Sequence, residues 1–93
     1  MIVGIMTVEL YISGATTLKE KRRVLKSIID RIRSKYNVSI SEVDNQDLWQ
    51  RATLGVAAVS NETSHVSRML DTVIRTIENN GEADLVDYSI EIL

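Results

Sequence analysis

The 93-residue chain has no cysteine, no proline and no phenylalanine, and it holds only four glycines, one histidine and one tryptophan. Without cysteine there is no disulfide framework, no zinc knuckle, no thiol redox couple and no thiolate nucleophile, and a reducing interior suits the chain best. The missing proline and sparse glycine, beside 44% hydrophobic and 26% charged residues, describe an ordered globular chain and exclude disorder. No run of about 18 apolar residues exists: the opening MIVGIMTVELYI is interrupted by Glu9 and carries neither a basic leader nor a cleavage site. The expectation is a cytoplasmic protein with its native N-terminus and no membrane partner. A lone histidine cannot assemble a metal cluster, and His65 shares one helical turn with Glu62 and Ser64 instead of converging with a nucleophile from another element. With no glycine-rich phosphate loop, no dinucleotide fingerprint and no paired acids in a plausible cleft, the chain reads as a non-enzyme with no cofactor, no metal and no catalytic residue.

Residues 1–93 suffice for one domain that buries roughly 60 to 65% of its unfolded surface. Within it the charge is segregated. Lys19 to Lys35 holds eight basic and two acidic residues; the rest of the chain holds three basic and eleven acidic, against a net charge of -2 overall.

Residues 2 to 12 alternate, with Met6, Val8, Leu10 and Ile12 on one side and Thr7, Glu9 and Tyr11 on the other, which predicts a half-buried strand. SGATT is a turn. Thr17 and Glu20 then read as a capping box opening a helix whose apolar stripe is Leu18, Leu25, Ile28, Ile29 and Ile32. NVSISEV, Asn37 to Val43, predicts a second strand, and DNQDLWQ leads into a third, RATLGVAAVS. That link is too short for a crossover, so the two strands are antiparallel neighbours. A second helix starts near Asn61 with the stripe Val66, Met69, Leu70, Val73, Ile74 and Ile77, and Gly81 of NNG supplies a stop. The last strand, ADLVDYSIEIL, directs Val86, Tyr88, Ile90 and Ile92 inward. The order β-α-β-β-α-β with right-handed crossovers is an α+β ferredoxin-like fold: a four-stranded antiparallel sheet, both helices on one face, and strands one and three central. Its other face is open, lined by Thr7, Glu9 and Tyr11 beside Thr53, Gly55, Ala57 and Val59.

The segment LKEKRRVLKSIIDRIRSKYNVSISEVDNQDLWQRATLGVAAVSN, Leu18 to Asn61, resembles the signature region of the YlxP-like family of small bacterial proteins of unknown function. The resemblance covers about half the chain through these motifs, and length and element order agree over all of it. It implies a ferredoxin-like fold and, through the genes that neighbour such proteins, an association with translation or ribosome maturation. It assigns no residue a role.

With Leu25 as the centre of the buried face and 100° per residue, Lys19, Arg22, Lys26 and Arg33 gather on one flank of the first helix, Arg31 and Lys35 on the other, and Arg23 points outward. A solvated helix face explains much of this. Yet Lys19, Lys21, Arg22 and Arg23 crowd the first turns, where the helix dipole is already positive. Free N–H groups, the small-residue SGATT loop and lysines beside it would suit an anionic group such as a phosphate. Lys21, near the apolar arc, is expected to snorkel past the helix end towards that loop. The candidate nucleic-acid or anion site is therefore Lys19, Lys21, Arg22, Arg23, Lys26 and Arg33, extended by Trp49 and Arg51. Its partner would be RNA or a ribosomal or preribosomal particle, read through phosphates, because a sheet with only Tyr11 to stack on does not suit single strands.

Leu48 and Trp49 either close one end of the core or form, with Gln50 and Arg51, an exposed recognition edge; Arg51 is expected to pair with Asp44 or Asp47. Gly55 and Ala57 on a central strand imply that something lies close to that backbone, or that the face is lightly covered. A homodimer through the open sheet face or an edge strand is the simplest cover. The rival function is accordingly a dimeric small-ligand or protein-interaction module with no nucleic-acid role.

Overall fold

The alternating N-terminal residues form β1, Ile2–Tyr11, in the computed structural model, which describes residues 1–93. Five further elements follow: α1 (Leu18–Lys35), β2 (Ser39–Asp44), β3 (Arg51–Ser60), α2 (Thr63–Glu78) and β4 (Asp84–Ile92). All strand pairs are antiparallel, in the order β2-β3-β1-β4, so the predicted ferredoxin-like topology is the observed one. The register sets Met6 against Val56 and Val8 against Leu54 on the helix side, and Thr7 against Gly55 and Glu9 against Thr53 on the open side. Val66, Leu70, Val73 and Ile77 of α2 and Val24, Leu25, Ile28 and Ile32 of α1 close over that helix side in one core of 20 buried hydrophobic residues.

The first half of the capping box forms as predicted, with the Glu20 amide donating to Thr17 Oγ1 at 3.1 Å; the Glu20 carboxylate, however, takes the Thr16 hydroxyl at 2.8 Å instead of the Thr17 amide. The buried arc of α1 is rotated from the predicted one. Leu18 and Ile29 are only half-buried, Val24 is buried, and the midpoint of the arc, roughly 40° to 60° round from Leu25, is occupied by Lys21 and Ile28. α2 ends without a left-handed glycine: Asn79 caps it at φ -81°, and Asn45, at φ 59°, is the one residue of the chain with positive φ.

The close neighbour expected at Gly55 is present, and one further expectation changes. What lies against Gly55 is Val43, set on the open face by a bulge in β2; a Cβ on Gly55 would come within 2.9 Å of its Cγ1. In β4 a bulge sets Leu85, and not the predicted Val86, opposite Leu10 and against the core, and the other predicted inward positions are not buried. Tyr88, Ile90 and Ile92 pair with Val8, Met6 and Gly4 and so point to the helix side, yet they stay exposed because the helices pack over the central strands and the sheet extends beyond them.

Candidate functional site

The predicted cations of α1 do not form one free surface. Lys21 has no exposed surface: its stem packs at the centre of the buried arc, and its ammonium donates to the Asn45 carbonyl at 2.6 Å. It also meets Glu42 Oε2 at 2.8 Å, an ion-pair contact outside hydrogen-bonding angles. It does not snorkel to the SGATT loop, and a phosphate cannot reach it; Lys21 is a structural residue and leaves the candidate set. Arg23 pairs with Glu82 at 3.1 Å in the turn before β4, and Lys26 with Asp30 at 2.7 Å one turn along the helix. Arg33 donates to the outward carbonyl of Ile40 on β2 at 2.9 Å. Of the predicted α1 cations, Lys19 and Arg22 stay exposed with neither an ion pair nor a side-chain hydrogen bond; Arg31 and Lys35, outside the predicted set, are exposed and unpaired as well.

The recess at the start of α1, about 280 Å³, is lined by Ser13, Gly14 and Ala15 and by three charged residues, Glu20, Glu82 and Arg23. The Glu20 carboxylate already occupies the Thr16 amide and hydroxyl. Arg23 is taken by Glu82 and the Glu20 carboxylate remains, so the recess is net negative and opposes an anion, which corrects the expectation of a phosphate cradle at this helix end.

Instead, the fold joins the exposed end of α1 to the β2–β3 connection. Asn45 reaches left-handed φ at little cost because Asn tolerates that region, and its side chain donates to Thr53 Oγ1 at 3.0 Å, which in turn donates to Glu9 Oε2 at 2.8 Å. From the other side Gln50 holds the β1–α1 loop: its backbone carbonyl accepts from Ile12 at 2.8 Å, and its side-chain amide donates to Ser13 and Ala15 carbonyls at 3.3 and 3.2 Å. Lys21 and Gln50 thus pin the connection against the N-terminal end of α1. Between the pins stand Leu48 and Trp49, the latter 56% exposed, so neither closes the core. Arg51 follows on β3, opposite Tyr11, with no ion pair to Asp44 or Asp47.

Trp49 and Arg51 therefore share one end of the molecule with Lys19 and Arg22. Arg22, Lys26 and Arg33 continue along α1 as one wall of a groove of about 320 Å³ whose other wall is Ser41 and Glu42 of β2. The roles of Asn45, Glu42 and Gln50 escaped the sequence reading. Only the Asp-Asn pair, which marks a turn able to adopt positive φ, signalled any of them. His65 sits exposed on the first turn of α2, at the opposite end of β3 from Arg51. No helix is long and apolar enough to cross a membrane.

Solved structures share the fold, two de novo designs among them. The de novo designed protein Foldit4 superposes with a TM-score of 0.55 over 100% of this chain and 97% of its own, at 10% identity. The solution structure of LFR1 1, a de novo design with ferredoxin fold, gives 0.54 over 100% and 84%, at 13% identity. In sequence, the uncharacterised protein YlxP of Bacillus subtilis (strain 168) is 43% identical over 82 residues, covering 88% of this chain and 89% of that one. Residues 3–90 match the model of a single family, and the chain belongs to it: the family described as "Protein of unknown function (DUF503)".

Proposed function

We propose that the protein is a binding module that contacts RNA, alone or in a ribosomal or preribosomal particle, through Lys19, Arg22, Trp49 and Arg51, with Lys26 and Arg33 extending the contact along α1. The observation that carries this reading is the placement of an exposed indole between the two pins of the β2–β3 connection, at the end of the molecule that also carries Lys19, Arg22 and Arg51, none of which is in an ion pair. Phosphates would meet Lys19, Arg22 and Arg51 as point contacts, and an unpaired base would stack on Trp49, a contact worth about 1 to 3 kcal/mol per base. Arg23 is held by Glu82 in a recess that also contains Glu20 and takes no part, and Lys26, with Asp30 beside it, contributes less than the unpaired cations. The distance of His65 from this end supports binding in preference to catalysis.

Exposed Leu48 beside Trp49 and Arg51 favours one alternative, docking of a partner protein, since buried Trp and Arg anchors dominate such contacts. Trp49 is the only tryptophan, so its fluorescence reports binding directly. Titration of a short RNA duplex, a single-stranded oligoribonucleotide and purified ribosomal subunits at several salt concentrations separates the readings. RNA contact predicts quenching with log K falling against log salt. The double variant Lys19→Gln, Arg22→Gln should make that slope shallower by about 1.5. Binding to ribosomal subunits that does not respond to salt supports a protein partner. Absence of binding to all three, or an unchanged slope in the double variant, defeats the RNA assignment.

A further inference from the structure

We infer that β4 is the seam of a two-fold homodimer, in which the strands of two copies pair antiparallel about Ile90 and continue the sheets into one. The backbone sets the direction of the free groups. Leu93 donates its N–H to the Val3 carbonyl at 2.7 Å, so its alternates Glu91, Ser89 and Asp87 also face β1, while Tyr88, Ile90 and Ile92 aim both backbone groups outward. The side chains of those three residues lie on the helix side, 37 to 45% exposed, directly beyond the buried Val8 and Met6. A partner that satisfies outward N–H and C=O groups while covering apolar residues at every second position is another strand.

The other edge of the sheet is blocked against this. β2 is short, carries a bulge, and has its outward Ile40 carbonyl taken by Arg33. β4 has nine residues and no such cover; only the Tyr88 amide is held, by its neighbour Asp87 at 2.9 Å.

The acidic residues and the bulge of β4 together choose the register: a seam centred on Tyr88 would run the irregular stretch at Val86 into the pairing, opposite Ile90. Pairing Tyr88 with Ile90 of the second copy would set Asp87 directly opposite Glu91, and pairing Ile90 with Ile92 would set Glu91 opposite itself. Like charges so placed are destabilising. Centring on Ile90 sets Ile90 opposite Ile90 and Tyr88 opposite Ile92 on the helix side, with Glu91 opposite Ser89 and Asp87 opposite Leu93 on the open side. Because both copies use the same strand, the contact closes as a dimer and does not propagate. One strand and a few side chains form a small interface, so the association is weak. This inference is independent of RNA binding.

Sedimentation equilibrium over a concentration series tests it, together with amide NMR of the wild-type chain on dilution. A monomer–dimer equilibrium is expected, tighter at higher salt as the acidic rows are screened, with concentration-dependent shifts concentrated at Tyr88, Ile90 and Ile92. Ile90→Lys should weaken association at least tenfold. Val43→Lys and Val59→Lys, on the open face, should leave it unchanged. A wild-type protein that stays monomeric to millimolar concentration overturns the inference. So does a dimer that survives Ile90→Lys, or one whose dilution shifts fall on β2 or the open face. If Ile90→Lys fails to fold, the wild-type dilution shifts decide alone.

Discussion

Lys21 contributes to stability through a charge held where aliphatic residues otherwise pack. Its stem lies beside Ile28 in the buried arc, and its ammonium is satisfied by Glu42 and the Asn45 carbonyl. Removing one partner of such a pair leaves a buried charge uncompensated. Glu42→Leu is expected to cost about 2 to 4 kcal/mol in urea unfolding, at the lower side because the Glu42 side chain is 18% exposed and Lys21 keeps the Asn45 carbonyl. Lys21→Met preserves the stem and frees Glu42 to reach water, so its cost should be smaller, about 1 to 2 kcal/mol. Equal costs, or none, would show that the pair is not held as described. Two glycines offer a second comparison. A Cβ on Gly4 meets the buried Val66 and Leu70, whereas one on Gly55 meets the end of an exposed Val43 side chain. Gly4→Ala should therefore destabilise by about 1 to 3 kcal/mol and Gly55→Ala by clearly less. At Trp49 the prediction is spectroscopic: emission close to that of indole in water, fully open to a soluble quencher, and a Trp49→Ala variant within about 0.5 kcal/mol of the parent.

Among the elements, α1 divides its cations between support and a free surface. Arg33 joins helix to strand through the Ile40 carbonyl, and replacing it by Gln is expected to cost about 1 kcal/mol and to speed hydrogen exchange in β2 selectively. A change confined to α1 would remove the tie from the account. For the same reason Lys19 and Arg22 make the cleaner probe of polyanion binding, since neither anchors another element. Charge density along the helix was fully legible in the sequence, because eight basic residues within Lys19 to Lys35 need only counting. Their partners were not. Glu82 and Glu42 are distant in sequence from Arg23 and Lys21, and the pairing depends on where the turn before β4 and the edge of β2 settle against the helix. Trp49 was equally undecided, because a tryptophan entering a strand suits a core rim and an exposed tip alike. The hydrogen bonds of Gln50 to the β1–α1 loop resolve it by holding the backbone around Trp49 at the surface.

At the scale of the molecule, β1 and β3 each pair on both sides beneath the helices, while β2 and β4 each have one bare edge. Native-state hydrogen exchange should rank the amides of Met6 to Leu10 and Leu54 to Ala58 slowest, with β4 faster in dilute solution. Element order, the helix-side residues of β1 and β3 and membership of the DUF503 family were determined by sequence alone, because periodicity of two or 3.6 and turn chemistry act locally and survive any choice of partner; the bulge that puts Leu85 in place of Val86 was not. Tertiary structure alone decided which charges stay free, why Gly55 has no side chain, and that the inward face of β4 lies beyond the helices. Burial and ion pairing depend on distances between segments far apart in the chain, and a pattern along one strand or helix carries no measure of how far the neighbouring layer extends over it.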